Sequence, residues 1–391
     1  MNPLAKLLAI PQAEKKARGL LHTPREILQQ PESWWGSYEK VLQSAPEVES
    51  FLKRAGVRRS GATVFLVGAG TSDYIGKTLA AILRRSWQCE VQAIPSTDLL
   101  TSMNDFILPG RSYLWISFSR SGDSSEGVAL LESALESHPE IHQLVVCCNR
   151  EGRMTRFNDR ESFCRLILGD EVNDRGLAMT SSFSNMVVAG QCLAHLHDLG
   201  GYRATLEQLI LAASSLLPAA SQVAEDLVAE GFSRICFLGT GPLKAVAKES
   251  ALKVLELTAG RVVSFSESFL GVRHGPLSAI NHDTLLAAFV SGDARRRSYE
   301  MDLLEEIHKK NLAKKILVVA PVSAIMAVES ALKNSIFLPL DFAIEDYYRP
   351  PVDILVGQLL GLFASIKQGL KPDTPSPGGA ISRVVTQVRI H

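Results

Sequence analysis

The sequence predicts an α/β protein built as two tandem domains, each a doubly wound parallel sheet flanked by helices. Three observations carry that expectation: continuous apolar runs that alternate with helical patterns, a second such series further along the chain, and a fixed offset of 171 residues that lays one series on the other. Strands buried on both faces of a parallel sheet read as unbroken apolar runs, and helices between them make the crossovers.

In chain order, the segment 1–58 reads as helical, with no strand signal. Thr23-Pro24-Arg25-Glu26 has the form of a capping box with proline at the first helical position, so a helix is expected from Thr23 to a stop before Pro31. The first strand series is TVFLVG, VQAIP, YLWISFS, LVVCCN and FCRLILG, within a domain expected at 59–200. A helical connector is expected at 201–227. The second series, RICFLGTG, RVVSFS, LLAAFV, ILVVAP and SIFLPL, falls in a domain expected at 228–370, followed by a turn-rich tail at 371–391. At the 171-residue offset Gly68 falls on Gly239, Leu114 on Leu285, Val146 on Leu317 and Ile167 on Leu338, which reads as an internal repeat.

Composition narrows the function. Of 391 residues, 41 are basic and 41 acidic, so no net field draws the chain to nucleic acid or to an anionic membrane. The apolar runs near 316–328 and 352–366 are too short or too charged for a span. No secretory leader is visible at the N-terminus, and the six cysteines sit mostly in strand-like runs without metal or disulfide spacing, so a cytoplasmic protein is expected.

Chemistry concentrates where strands end. The run from Leu114 to Phe118 passes into Ser119-Arg120-Ser121-Gly122-Asp123-Ser124, with a helix expected from about Ser124. Hydroxyls, glycine-freed backbone N–H groups and a helix N-terminus are parts from which a phosphate site is made. The preceding unit repeats the arrangement with Gly68-Ala69-Gly70-Thr71-Ser72. Either turn alone is equally an ordinary helix cap; two of them on the principal strands favour phosphate. A dinucleotide fingerprint is not completed, because Asp73 stands at the third glycine position. At the 171-residue offset Thr71 becomes Pro242, Ser119 becomes Val290 and Ser121 becomes Gly292, so one half is expected to keep a phosphate pocket and the other to have lost it.

Two further groups stand out. Glu249, Lys253 and Glu256 share one stripe of an otherwise apolar helical pattern, which is either a solvated salt-bridged face or a site. His274 sits between Arg273 and the turn pair Gly275-Pro276, in a loop where a histidine is either simply exposed or available for proton transfer.

The motifs "GAGTS" and "SFSRSGDSSE" resemble the sugar isomerase (SIS) domain, and two in tandem resemble the isomerase half of glucosamine-6-phosphate synthase. "TSSFSNM", "ESALKVLELTAG", "VRHGP" and "DTPSPGGAISRVV" narrow the resemblance to the AgaS-type galactosamine-6-phosphate deaminase/isomerases, from about Thr23 to the C-terminus. The resemblance implies an enzyme that grips the sugar phosphate with Ser72, Ser119, Ser121 and Ser124, and with Arg120 where the synthase has glutamine; Thr71, in the first hydroxyl turn, is a further phosphate candidate. It implies that Glu256 carries the proton between C1 and C2 and that His274 opens the sugar ring from the neighbouring subunit of a homodimer. Lys253 and Arg383 are candidates for stabilising the enediol-type charge, and Gly70, Arg175, Ala178 and Arg383 are further candidates for substrate contact, with the tail closing on the active site. Arg383 stands where the synthase carries its Schiff-base lysine, and arginine does not form that imine.

The expected reaction is conversion of galactosamine 6-phosphate to tagatose 6-phosphate and ammonia, with no cofactor and no metal. Plain aldose/ketose isomerisation and a silent sugar-phosphate sensor are the alternatives.

Overall fold

The computed structural model describes residues 1–57, 61–157, 160–342, 344–385 and 388–391. The expected boundary between 58 and 59 therefore lies outside the described residues. Among them the elements run α1 Pro3–Ala9, α2 Gln12–Arg18, α3 Thr23–Leu28, α4 Gln30–Arg54, β1 Ala62–Gly68, α5 Thr71–Trp87, β2 Glu90–Pro95, α6 Ser96–Ser102, β3 Ser112–Ser119, α7 Ser125–Ser137, β4 His142–Cys147, β5 Phe163–Ile167 and α8 Ser181–Ala194. They continue with α9 Leu199–Glu230, β6 Arg234–Gly239, α10 Pro242–Leu257, β7 Val263–Glu267, β8 Thr284–Phe289, α11 Ala294–Lys309, β9 Lys315–Pro321, α12 Val322–Val328, β10 Ile336–Leu340 and α13 Pro350–Lys367.

Each apolar run read from the sequence is a strand of one of two five-stranded sheets, ordered β2-β1-β3-β4-β5 and β10-β9-β8-β6-β7. All pairings are parallel. Renumbered within its half, the second sheet has the order of the first. The register repeats as well: Val67 lies opposite Ser117, and Leu238 opposite Ala288. In both sheets the chain reverses its direction of growth between the first and third strands, which is where ligands collect in open α/β sheets.

The chain divides into two compact units. One comprises Met1–Pro31, Arg175–Thr180 and Thr205–Ala380; the other comprises Glu32–Asp174, Ser181–Ala204 and Ile381–His391. We call them the second-sheet and first-sheet units.

In the first-sheet unit, α8 is buried along its whole length. Two of its polar residues bond α4: Trp34 donates to Ser184 at 2.8 Å, the Ser37 hydroxyl donates to Asn185 at 2.7 Å, and Asn185 donates to Ser33 at 2.8 Å. The Ser184 hydroxyl of the "TSSFSNM" motif is thus paired within the packing, as buried polar groups ordinarily are. Against α5, α8 presents Gly190, where an added Cβ would lie 2.1 Å from Leu79.

In the second-sheet unit, α10 and α13 approach closely for the same reason. A Cβ on Gly357 would meet the Ser250 side chain at 2.2 Å, and one on Gly361 would meet Leu257 at 2.9 Å. The N-terminal helix α3 begins at Thr23 and ends at Leu28, before Pro31, but its cap is not the expected box. The Asp373 carboxylate accepts from the Leu21 and Thr23 N–H groups at 2.7 and 2.8 Å and from the Thr23 hydroxyl at 2.8 Å. Glu26 instead accepts from the backbone of Arg175 and Gly176.

Candidate active site

The first-sheet loops are shaped by glycine. A Cβ on Gly68 would meet Ser72 backbone at 2.5 Å, so only glycine lets α5 start this close to the end of β1. Gly70 precedes the helix at φ +55°, and Thr71 and Ser72 are buried in its first turn.

After β3 the loop closes on its own hydroxyls. Ser119 Oγ accepts from Gly122 N–H at 2.9 Å, and Ser121 Oγ accepts from Asp123 N–H at 3.2 Å. Since a hydroxyl can accept and donate at once, each keeps its hydrogen to give to an anion. Gly122 at φ +68° sits against Gly152, and Asn149 Nδ2 donates to the Ser121 carbonyl at 2.8 Å, so the following strand's loop braces this one. Ser124 is the N-cap of α7, yet its side chain makes no capping bond.

The C-terminal tail joins this cluster inside the same unit. Arg120, 6% exposed, donates to the Arg383 carbonyl, and the Ser125 N–H at the start of α7 donates to the Val385 carbonyl at 2.9 Å. Arg383 in turn donates from Nε to the Asp174 carbonyl at 2.7 Å and from Nη2 to Asn173 Oδ1 at 2.6 Å. The Asp174 carboxylate caps α8 through the N–H groups of Ser181 and Ser182.

The remaining candidates belong to the second-sheet unit. The stripe on α10 is not a solvated face: Glu249 and Lys253 are fully buried, while the Glu256 side chain is 23% exposed. Lys253 Nζ lies 3.2 Å from Glu249 and 2.5 Å from Glu256. Burial by itself pulls a lysine down, but the two carboxylates outweigh it and hold Lys253 above its ordinary value, so it stays an ammonium ion. A fixed cation thus lies beside a carboxylate that reaches the surface.

His274 caps a short 3-10 turn, Gly271–Arg273, donating its backbone N–H to the Gly271 carbonyl at 3.0 Å; it is exposed, and its side chain makes no hydrogen bond or ion pair among the described residues. Arg175 is exposed and Ala178 buried in the loop that Glu26 pins. Of the proton-transfer candidates, Lys253 and Glu256 are brought together; His274 stands on a separate loop.

Sequence reasoning missed what fills the second sheet's equivalent turn. Gly239 and Gly241 reproduce Gly68 and Gly70, with Gly241 at φ +60°. After Val290, however, the chain reaches its helix in two fewer residues than after Ser119, so the fixed offset fails and a second Ser-Gly-Asp, Ser291-Gly292-Asp293, occupies the turn. The Asp346 carboxylate lies in it. It accepts from Ser291 Oγ at 2.5 Å, Gly292 N–H at 3.0 Å, Arg296 at 3.0 Å and Arg349 at 3.1 Å. Burial pushes Asp346 up, but Arg349, the Ser291 hydroxyl, the Gly292 N–H and Arg296 together hold it below the usual aspartate value. The repeated Ser-Gly-Asp was the signal available in the sequence.

No family model matches the chain. Individual relatives do. The chain is 38% identical over 381 residues, 95% of each chain, to a candidate D-galactosamine-6-phosphate deaminase AgaS of Streptomyces coelicolor. It is 35% identical over 372 residues, 94% of this chain and 95% of the relative, to D-galactosamine-6-phosphate deaminase AgaS of Escherichia coli. The chain belongs to the AgaS family. A solved structure from Clostridium novyi NT, described as a candidate tagatose-6-phosphate ketose/aldose isomerase, superposes with a TM-score of 0.90 at 31% identity over 96% of each chain. The AgaS architecture is therefore two tandem SIS domains, each a parallel sheet flanked by helices. Among the described residues, no helix is long and apolar enough to cross a membrane, and no three His, Cys, Asp or Glu side chains cluster as metal ligands.

Proposed function

We propose that this AgaS-family chain is an enzyme that converts galactosamine 6-phosphate to tagatose 6-phosphate and ammonia. The observation that carries the reading is the buried Lys253 ammonium against the partly open Glu256 carboxylate, in a chain 38% identical to an AgaS relative over nearly its full length.

In this reading, Thr71, Ser72, Ser119, Arg120, Ser121 and Ser124 hold the phosphate, and Gly70 allows the backbone to approach it. Arg175, Ala178 and Arg383 shape the rest of the sugar site. The tail closes on the phosphate loops through Arg383 and Val385, supported by the bonds to Asn173, Asp174 and Ser125.

His274, supplied by the second subunit of a homodimer, opens the ring to the amino-aldehyde. Glu256 takes the C2 proton, leaving an enolamine whose developing negative charge faces the Lys253 cation. Return of a proton at C1 gives the 2-imino sugar, and water replaces nitrogen at C2, releasing ammonia and the ketose phosphate. A substrate carrying a hydroxyl on C2 would pass through the same proton transfer as a plain isomerisation.

The test is ammonia and ketose phosphate measured in parallel from purified protein supplied with galactosamine 6-phosphate or glucosamine 6-phosphate. Stoichiometric ammonia from the galacto epimer supports the reading. Isomerisation of a 2-hydroxy sugar phosphate without ammonia from either amino sugar replaces it with the isomerase, and tight binding without turnover replaces it with a sensor.

A further inference from the structure

His274 rides on a turn that the second-sheet unit holds in two ways. Phe269 and Val272 are buried in the core beside the second sheet and anchor the turn there. The other hold is polar and centres on Glu267, the last residue of β7. One Glu267 carboxylate oxygen accepts from the Ser268 N–H at 2.7 Å and from the Ser268 hydroxyl at 3.2 Å. The Ser268 hydroxyl oxygen accepts in turn from the Gly271 N–H at 3.1 Å, and the Gly271 carbonyl accepts from the His274 N–H at 3.0 Å. Lys244, in the first turn of α10, meets the same Glu267 oxygen at 2.5 Å.

We infer that Glu267, with Lys244 behind it, orients the turn that carries His274, so that Glu267 is a positioning residue of the reaction. The inference rests on the ring-opening role proposed for His274. The pair does little for the fold: the Lys244 and Glu267 side chains are 37% and 28% exposed, and pairs this open to solvent add little stability. What it fixes is direction. Successive bonds at Glu267, Ser268 and Gly271 run from α10, the helix that bears Lys253 and Glu256, to the backbone of His274. The Lys244 ammonium, helped by the Ser268 N–H, holds Glu267 below its ordinary value against the effect of burial, so the carboxylate stays an anion and the tie stays charged. The turn also makes room for it: a Cβ on Gly271 would lie 2.6 Å from Ser268 Oγ and 2.8 Å from Glu267 Oε1. A histidine that must reach a ring oxygen depends on such a tie, because a displacement of about 1 Å costs about 100-fold in rate.

The experiment uses the full chain with galactosamine 6-phosphate. For Glu267→Ala, kcat is expected to fall about 30-fold to 100-fold with KM within about twofold of native, while Tm stays within about 3 °C. Glu267→Gln, which keeps an acceptor for Ser268, should recover to within about fivefold of native. Gly271→Ala, which pushes the carboxylate aside and removes no charge, should lower kcat as Glu267→Ala does. Hydrogen exchange at the Ser268 and Gly271 amides of Glu267→Ala should quicken at least about tenfold, a reading that needs no turnover.

Mixed dimers assign the effect to the histidine. Glu267→Ala should behave in them as His274→Ala does: co-refolded with Glu256→Gln it recovers about a quarter of native activity, and co-refolded with His274→Ala it recovers none, because both lesions strike the same element. Recovery with His274→Ala overturns the inference and ties Glu267 to Glu256 instead. A kcat within about twofold of native, or a large fall in Tm accounting for the loss, overturns it as well. Unchanged exchange at Ser268 and Gly271 removes the tie itself. A native chain that turns over neither amino sugar ends the reading of the reaction and the positioning role with it, while the exchange result still decides whether Glu267 holds the turn.

Discussion

Lys253 Nζ stands 2.5 Å from a Glu256 carboxylate oxygen and is itself fully buried, so the cation is fixed while the carboxylate retains an open side. For Glu256→Gln the expected outcome is a fall in kcat of about 100-fold to 10,000-fold, the usual range for losing a general base. Sugar-phosphate affinity should be nearly unchanged, because glutamine keeps the shape and an acceptor. Stopped-assay kinetics beside direct binding checks both, and turnover close to native removes Glu256 from the reaction.

Removing the cation has a different signature. Lys253→Met leaves Glu249 buried with its main partner gone, and breaking a buried pair costs about 3–5 kcal/mol. The variant should melt well below the native chain, and Glu249→Gln added to it should restore part of the loss. Calorimetric Tm values for the single and double variants check this; an unchanged Tm in the single variant would contradict it.

If His274 serves the neighbouring subunit, mixing two dead variants revives activity. His274→Ala and Glu256→Gln are each expected to be inactive, while co-refolded mixtures should recover about a quarter of native activity, because half the dimers are mixed and each has one intact site. No recovery in confirmed mixed dimers places the histidine in its own subunit's site.

Glu300, on α11, is pushed up to about 7, chiefly by burial, while the Thr240 hydroxyl and the Ser291 N–H pull against that. Asp346 nearby also raises it, and Arg349 lowers it. The folded chain therefore holds this proton more tightly than the unfolded one. The stability it contributes is present below the usual carboxylate value and is lost as pH climbs from about 4.5 to about 7. Glu300→Gln keeps an acceptor for the Ser291 N–H, which now reaches the carboxylate at 2.7 Å. Denaturant titrations across that window should show the native chain losing about 3 kcal/mol relative to the variant. Parallel pH profiles would refute it.

Asp346→Ala is expected to destabilise the chain by about 1–3 kcal/mol, since Arg349 keeps its two bonds to Asp353 while the bonds from Ser291, Gly292 and Arg296 to the carboxylate are lost. Inorganic phosphate should recover part of this, raising the Tm of the variant more than that of the native chain. Equal shifts in the two proteins would show that the vacated turn does not take an anion.

The strands were legible because a buried parallel strand is written locally, as an apolar run ended by glycine or proline. What escaped was non-local. The carboxylate that caps α3 comes from Asp373, 350 positions away from Thr23, so the local box could not reveal it. The stripe of Glu249, Lys253 and Glu256 left a solvated face and a site equally open, because its burial depends on α13 bringing Gly357 and Gly361 against α10. The hydroxyl cluster was legible as a cluster, but its bracing by Asn149 and its link to Arg383 required the fold. A uniform offset also hid the second Ser-Gly-Asp, since this loop is two residues shorter than its counterpart.

Asp346 gives the two halves different relations to their surroundings. On the proposed phosphate role, the first-sheet turn gains stability in proportion to the logarithm of ligand concentration, so it should be stiffest in a well-fed cell and loosest in a starved one. The second half carries its anion on the same chain, at a concentration that no metabolite can change. Depletion of substrate should therefore be felt at the first-sheet turn and not at its second-sheet counterpart.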